Sequence, residues 1–146
     1  ALSNVVASRS AMYEYSKQSH SKLGKNMKNI AAYNIQQAIE HILKYLIYND
    51  SKYSGGESGV RQILTHDIDR LIQRYCVPYN IKVPDKIVKN ASIYTKWEAE
   101  SRYSLQFSVR KDLIYTAIKE TENWLMDLNA RYKGVVTKYR MKYKES

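Results

Sequence analysis

Apolar positions recur every three or four residues over long stretches of this chain, and the breaks between those stretches are short. Five helical segments follow. The first runs from about Ser3 to His20, with Val5, Val6, Met12 and Tyr13 as apolar contacts, and breaks at "SHSKLG". The second, about Lys25 to Tyr48, is apolar over most of its circumference, which predicts a central position. A Ser- and Gly-rich stretch, "NDSKYSGGESG", leads to a third segment from about Val60 to Cys76, with Val60, Ile63, Leu64, Ile68, Leu71, Ile72 and Tyr75 at helical spacing. "VPYNIKVP" holds both prolines and ends it. The fourth begins near Asp85, carries Ile87, Ala91, Tyr94 and Trp97, and ends around Tyr103. After "SLQFS", where Ser108 can cap, the fifth runs from about Val109 to Tyr132 with Leu113, Ala117, Trp124, Leu125 and Leu128. Gly134 is a plausible stop.

Short connections between long amphipathic helices make neighbours antiparallel, so the expected fold is all-α, an up-and-down antiparallel bundle of about five helices. The 146 residues suit one core, and five glycines and two prolines argue against a many-turned β fold. The expected organisation is one helical domain over 1–133 and a basic C-terminal tail over 134–146. No internal repeat or low-complexity tract is visible.

Charge adds a partner class. The formal net charge is +10. Residues 1–49 hold six basic and two acidic side chains, residues 50–104 nine and seven, and residues 105–146 nine and five, giving +4, +2 and +4. The excess favours polyanions such as RNA, or an acidic protein, against the plainer reading of scattered surface charge. The single Cys76 cannot form an internal disulfide and fits a reducing, cytoplasmic setting. The most apolar stretch, "IAAYNIQQAIEHILKYLIY", is interrupted by Asn34, Gln36, Gln37, Glu40, His41 and Lys44, so no membrane span or membrane partner is expected. The chain starts at Ala1, which fits either a removed initiator Met or a start inside a longer protein.

The central helix carries a polar line. Gln37, Glu40, His41 and Lys44 are three and four residues apart and share one face, with Asn34 at its edge; Glu40 to Lys44 is the favourable order for a helical ion pair. The line reads either as a solvated stripe with one weak pair or as a groove wall, where Lys44 meets a phosphate and Gln37 and Glu40 hydrogen-bond a base or partner. No metal site is expected, because His20, His41 and His66 lie on different segments. No cofactor is expected either: "SGGESG" lacks the Lys-Ser/Thr of a phosphate loop.

Three short motifs, in order, resemble the HEPN family (higher eukaryotes and prokaryotes nucleotide-binding). "NIQQAIEHILKYLIY" is similar to its second helix, with Gln37, Glu40 and Lys44 in the Gln, Glu, Lys pattern. "THDIDRL" resembles its Thr-His-Asp-Leu start at Thr65, His66, Asp67 and Ile68. "YTKWEAESRY" resembles its Tyr-to-Arg-Tyr segment at Tyr94, Arg102 and Tyr103, although Ser104 stands where a proline commonly follows. The resemblance covers most of residues 5 to 132. It implies a helical bundle, often a homodimer, frequently encoded beside a minimal nucleotidyltransferase and acting in toxin–antitoxin or defence systems. One branch cleaves RNA without metal; another lacks the catalytic residues and binds nucleotides, nucleic acid or a protein.

The nuclease branch uses Arg, four to six residues, then His. "RQILTH", with Arg61 and His66, fits that string, but in that branch the motif lies later in the domain, near Arg102, where no His follows. If 60–76 is one helix, five residues turn the chain by roughly 140°, and Arg61 and His66 diverge. They converge only if the helix starts near Thr65, a credible N-cap, or across a dimer interface. The leading expectation is a non-catalytic domain that binds a nucleotide, nucleic acid or a nucleotidyltransferase partner, with Gln37, Glu40, Lys44, His66, Asp67, Arg102 and Tyr103 as ligand-binding candidates. The alternatives are a metal-independent RNase using Arg61 and His66, and a protein-interaction or dimerisation module. The basic, tyrosine-containing tail reads as a single-strand RNA contact or as a frayed terminus.

Overall fold

A computed structural model describes residues 1–50, 53, 63–103 and 109–144, apart from the side chains of 99–103. Among the described residues there are seven α-helices and no strand: α1 (Leu2–Lys17), α2 (Lys22–Tyr48), α3 (Ile68–Leu71), α4 (Asp85–Lys89), α5 (Ala91–Tyr103), α6 (Lys111–Leu128) and α7 (Tyr132–Lys142). A π-helical turn, Ile72–Cys76, continues α3. The expected all-α helical bundle is what forms.

The helix α2 is central, as its composition requires. Ala31, Ala32, Ile35, Ala38, Ile39, Ile42, Leu43 and Ile47 are all buried, and α1, α5 and α6 pack around them. The small side chains let α1 approach closely, and Ser8 Oγ donates to the Ala31 carbonyl at 2.7 Å. Asn4 pairs with Asn34 and Ser8 with Ala31, so sequence rises along α1 as it falls along α2, and the two run antiparallel. Ser21 caps α2 by accepting from the Gly24 amide at 3.0 Å. Gly24 does not break the helix. A Cβ there would meet the Gln18 carbonyl oxygen at 1.9 Å, so glycine is what allows the α1–α2 turn to close.

Several boundaries differ from expectation. The third segment does not run as one helix from Val60; residues 63–67 are non-helical and α3 starts at Ile68. Polar side chains intercept the first amides: Asp67 Oδ1 accepts from Arg70 N at 3.1 Å, and Thr95 Oγ1 accepts from Ile68 N at 3.0 Å. Asp67 is therefore the cap, and Thr65 accepts from the Asp67 amide one step earlier. Leu64, expected in the core, is 76% exposed, while Ile63 is buried. Val60, Arg61 and the proposed Ser108 cap lie outside the described residues. The fourth segment breaks at Asn90 into α4 and α5, although Ile87, Ala91, Tyr94 and Trp97 are all buried as expected. Gly134 is no stop: it lies within α7, whose Val136 and Tyr139 are buried.

Among the described residues no helix is long and apolar enough to cross a membrane. Cys76 is buried, and burial pushes its thiol up to about 11. The folded state keeps the proton that the unfolded thiol releases, so stability falls as pH rises from the ordinary thiol range toward that value. At about pH 8 the native thiol should resist iodoacetamide and react only on unfolding in urea, since the thiolate is the nucleophile. Labelling of the folded protein at the unfolded rate would place Cys76 elsewhere. Ile39→Asp should unfold the domain, at a cost above about 4 kcal/mol, because an unpaired carboxylate would enter the core. Thermal melting by circular dichroism reads this directly.

Candidate functional site

The polar line on α2 is not solvated. Glu40 is 3% exposed, and its carboxylate gathers partners from three places. Lys44 Nζ lies 3.1 Å from Oε2, the expected i, i+4 pair. His66 Nδ1 lies 3.1 Å from both carboxylate oxygens. Gln36 Nε2 is 3.4 Å from Oε1 and also donates to the His66 carbonyl at 3.2 Å. Gln37 Nε2 in turn donates to Gln36 Oε1 at 2.7 Å. A line of alternating donors and acceptors thus ties α2 to the segment ahead of α3.

These contacts fix the chemistry of His66. A carboxylate only accepts, so Nδ1 must carry a hydrogen. In the neutral ring Nε2 is then an acceptor, and no described residue hydrogen-bonds to it. The His66 side chain is 63% exposed, with Glu40 holding its Nδ1 edge. Buried Glu40 sets its orientation, a device that fixes tautomer and direction together. Beside it, Thr95 on α5 accepts from Ile68 N and lies 3.3 Å from Asp67 Oδ1. Its one hydroxyl hydrogen goes to the nearer acceptor, the Ala91 carbonyl at 2.9 Å.

Of the sequence candidates, the structure brings together Gln37, Glu40, Lys44 and His66; Asp67 follows His66 in the chain, but its carboxylate caps α3. Arg102 and Tyr103 occupy the last turn of α5, where side chains lie outside the described residues, as does Arg61. His41 does not belong with them. It is exposed and lines a separate cavity of about 380 Å³ with Ile42, Tyr45, Leu125, Leu128 and Tyr132. Partial burial pushes its imidazole below the usual histidine range. Asn34 turns to α1, where it meets Asn4. Gln36 was missed. It stands within the apolar run of α2, and an amide between Ile35 and Ala38 on a buried helix was the available signal.

A family model, HEPN domain, matches residues 13–130. The chain belongs to the HEPN domain family. Membership points to a nucleotide- or RNA-related role. Comparison with curated proteins and with solved structures gives no significant match.

The HEPN domain also holds a second buried carboxylate that sequence reasoning did not find. Glu122 on α6 is fully buried and is clamped by two arginines. Arg9 of α1 donates from Nε at 2.6 Å and from Nη2 at 2.8 Å, and Arg140 of α7 donates from Nε at 2.8 Å. Arg140 also reaches Asn123 Oδ1 at 3.1 Å. Burial, and then the Glu122 carboxylate, push the nearby Tyr139 phenol well above its ordinary value. The signal was a charge in the apolar stripe of α6, between Ile118 and Leu125.

The two carboxylates should differ in weight. Removing Glu122 takes the shared carboxylate from two arginines, one nearly buried, so Glu122→Ala should cost about 3–5 kcal/mol. Removing Glu40 leaves Lys44 and exposed His66 able to turn to water, so Glu40→Ala should cost less, about 1–3 kcal/mol. Urea unfolding of both variants tests the order; equal losses would contradict it.

Proposed function

We propose that this HEPN domain binds a phosphate-bearing ligand, a nucleotide or RNA, at the His66 surface without cleaving it. The observation that carries this reading is the outward Nε2 of His66, held by buried Glu40, with the Lys44 ammonium on the same carboxylate. Lys44 spends one of its three hydrogens on Glu40, leaving donors for an anion, while Nε2 can accept from a base or ribose hydroxyl. Gln37, Asp67, Arg102 and Tyr103 complete the proposed surface. Homodimerisation, a nucleotidyltransferase partner and a toxin–antitoxin or defence setting belong to the same proposal. The sequence supports the absence of cleavage: after Arg102 the window reads Tyr103, Ser104, Leu105, Gln106, Phe107, Ser108 and Val109, with no imidazole.

A second reading, metal-independent RNA cleavage by Arg61 and His66, gains from one observation. Residues 63–67 are not helical, so helical rotation does not drive the two side chains apart. His66 would take the proton of a ribose 2′-hydroxyl at Nε2, Glu40 would stabilise the imidazolium, and Arg61 would meet the charge developing on the phosphate.

An RNase assay without metal, on the parent, Arg61→Ala and His66→Ala, separates the two. The expected result is no cleavage by any of them, with salt-dependent retention of RNA or nucleotide by the parent. Cleavage by the parent that disappears in both variants would install the second reading. Lys44→Ala should weaken binding several-fold and reduce the salt slope by roughly 0.7 to 0.9, the share of one phosphate contact.

A further inference from the structure

The two segments with the larger net positive charge, 1–49 and 105–146, meet at one end of the bundle. There the end of α1, the start of α2, the start of α6 and the end of α7 come together. Tyr13 of α1 and Tyr143, just beyond α7, stack edge to face with ring centres 5.7 Å apart. Lys17 Nζ sits 4.2 Å from the centre of the Tyr13 ring, and Lys142 Nζ 5.2 Å from that of Tyr143. Both rings are half-buried and both lysines exposed. On the α2 side, Lys28 Nζ lies 5.5 Å from the Tyr15 ring centre.

Three of the cations here, Lys25, Lys28 and Lys111, work against one another. Partial burial, and then the ammonium groups of Lys25 and Lys111, hold Lys28 below the usual lysine range. Among the described residues nearby acids add little: Tyr13, more than Glu14, holds Lys17 above the usual lysine range, and the Asp112 carboxylate is taken by Arg110 at 2.6 Å. An arrangement of like charges drawn from four helices is relieved by a polyanion, which replaces repulsion with attraction and releases its counterions. The aromatic pair between the cations narrows the class of polyanion. A ring flanked by lysines can stack an unpaired base while the displaced ammonium moves to a phosphate. A duplex hides its bases and an acidic peptide has none.

We propose that this end of the bundle is a binding surface for single-stranded nucleic acid, with Lys17, Lys25, Lys111 and Lys142 on the phosphates and Tyr13 and Tyr143 against the bases. It is built from different elements than the His66 surface and shares with it only the class of ligand.

The test is fluorescence anisotropy with a labelled short oligouridylate, the matching RNA duplex, polyglutamate, anionic phosphatidylserine vesicles and a mononucleotide. The variants are Lys17→Gln/Lys142→Gln, Tyr143→Leu and His66→Ala, each checked by thermal melting. The double lysine variant should weaken oligouridylate binding about tenfold and lower its salt slope by about 1.4, two single-strand contacts. Tyr143→Leu should weaken the single strand several-fold and leave the duplex unchanged. Neither variant should change mononucleotide binding, which His66→Ala should weaken. Oligouridylate binding unchanged in both end variants would overturn the proposal, as would no binding by the parent. Equal binding of duplex, polyglutamate or vesicles would overturn the assignment to single strands. Loss in His66→Ala with both end variants intact would leave the His66 reading standing and this one rejected.

Discussion

A carboxylate on the enclosed face of a helix cannot reach water, and this constraint on α2 organises the domain. Its alanines and isoleucines meet α1, α5 and α6, so a charge on that face must be met by protein. Glu40 is where that demand is greatest. Its partners are drawn from the next turn of its own helix and from the segment ahead of α3. His66 is thereby held at the surface with one nitrogen committed inward and one outward. The functional geometry follows from satisfying a buried charge.

Much of the architecture could be read from periodicity, because α2, α5 and α6 carry long apolar runs that are mostly buried, although Leu128, expected as a contact, is exposed. What could not be read was decided by single hydrogen bonds. Ile63, Leu64 and Ile68 fit a helical face, yet Asp67 and Thr95 capture the amides that would have continued the helix upstream. The sequence offers Thr65 as the cap, but Asp67 takes that role, with Thr95 of α5 accepting from the Ile68 amide beside it. Gly134 likewise looks like a terminator, but Val136 and Tyr139 gain enough burial to hold the helix through it.

The site was legible in its residues and not in its environment. Gln37, Glu40, Lys44 and His66 do join one hydrogen-bonded group, while Asp67 turns to cap α3, and the spacing that suggested the α2 residues also placed His41 among them. One residue past Glu40 is a 100° turn, enough to move His41 toward α6 and into another cavity. Burial was equally invisible: the same Glu40–Lys44 spacing serves a solvated pair and a buried one. Glu122 shows the converse. Its partners, Arg9 and Arg140, are far away in sequence, and no local pattern announces a contact of that range.

That arrangement also has a mechanical meaning. Arg9, Glu122 and Arg140 fasten the first helix to the last through one carboxylate on α6, so the chain closes into a loop latched by three side chains. A force that draws α1 and α7 apart would load this latch directly. Ionic hydrogen bonds are short-ranged and brittle compared with a yielding apolar interface, so the bundle should give way there abruptly. Anything tethered to either end of the domain would therefore feel a stiff anchor up to a threshold and a soft one beyond it.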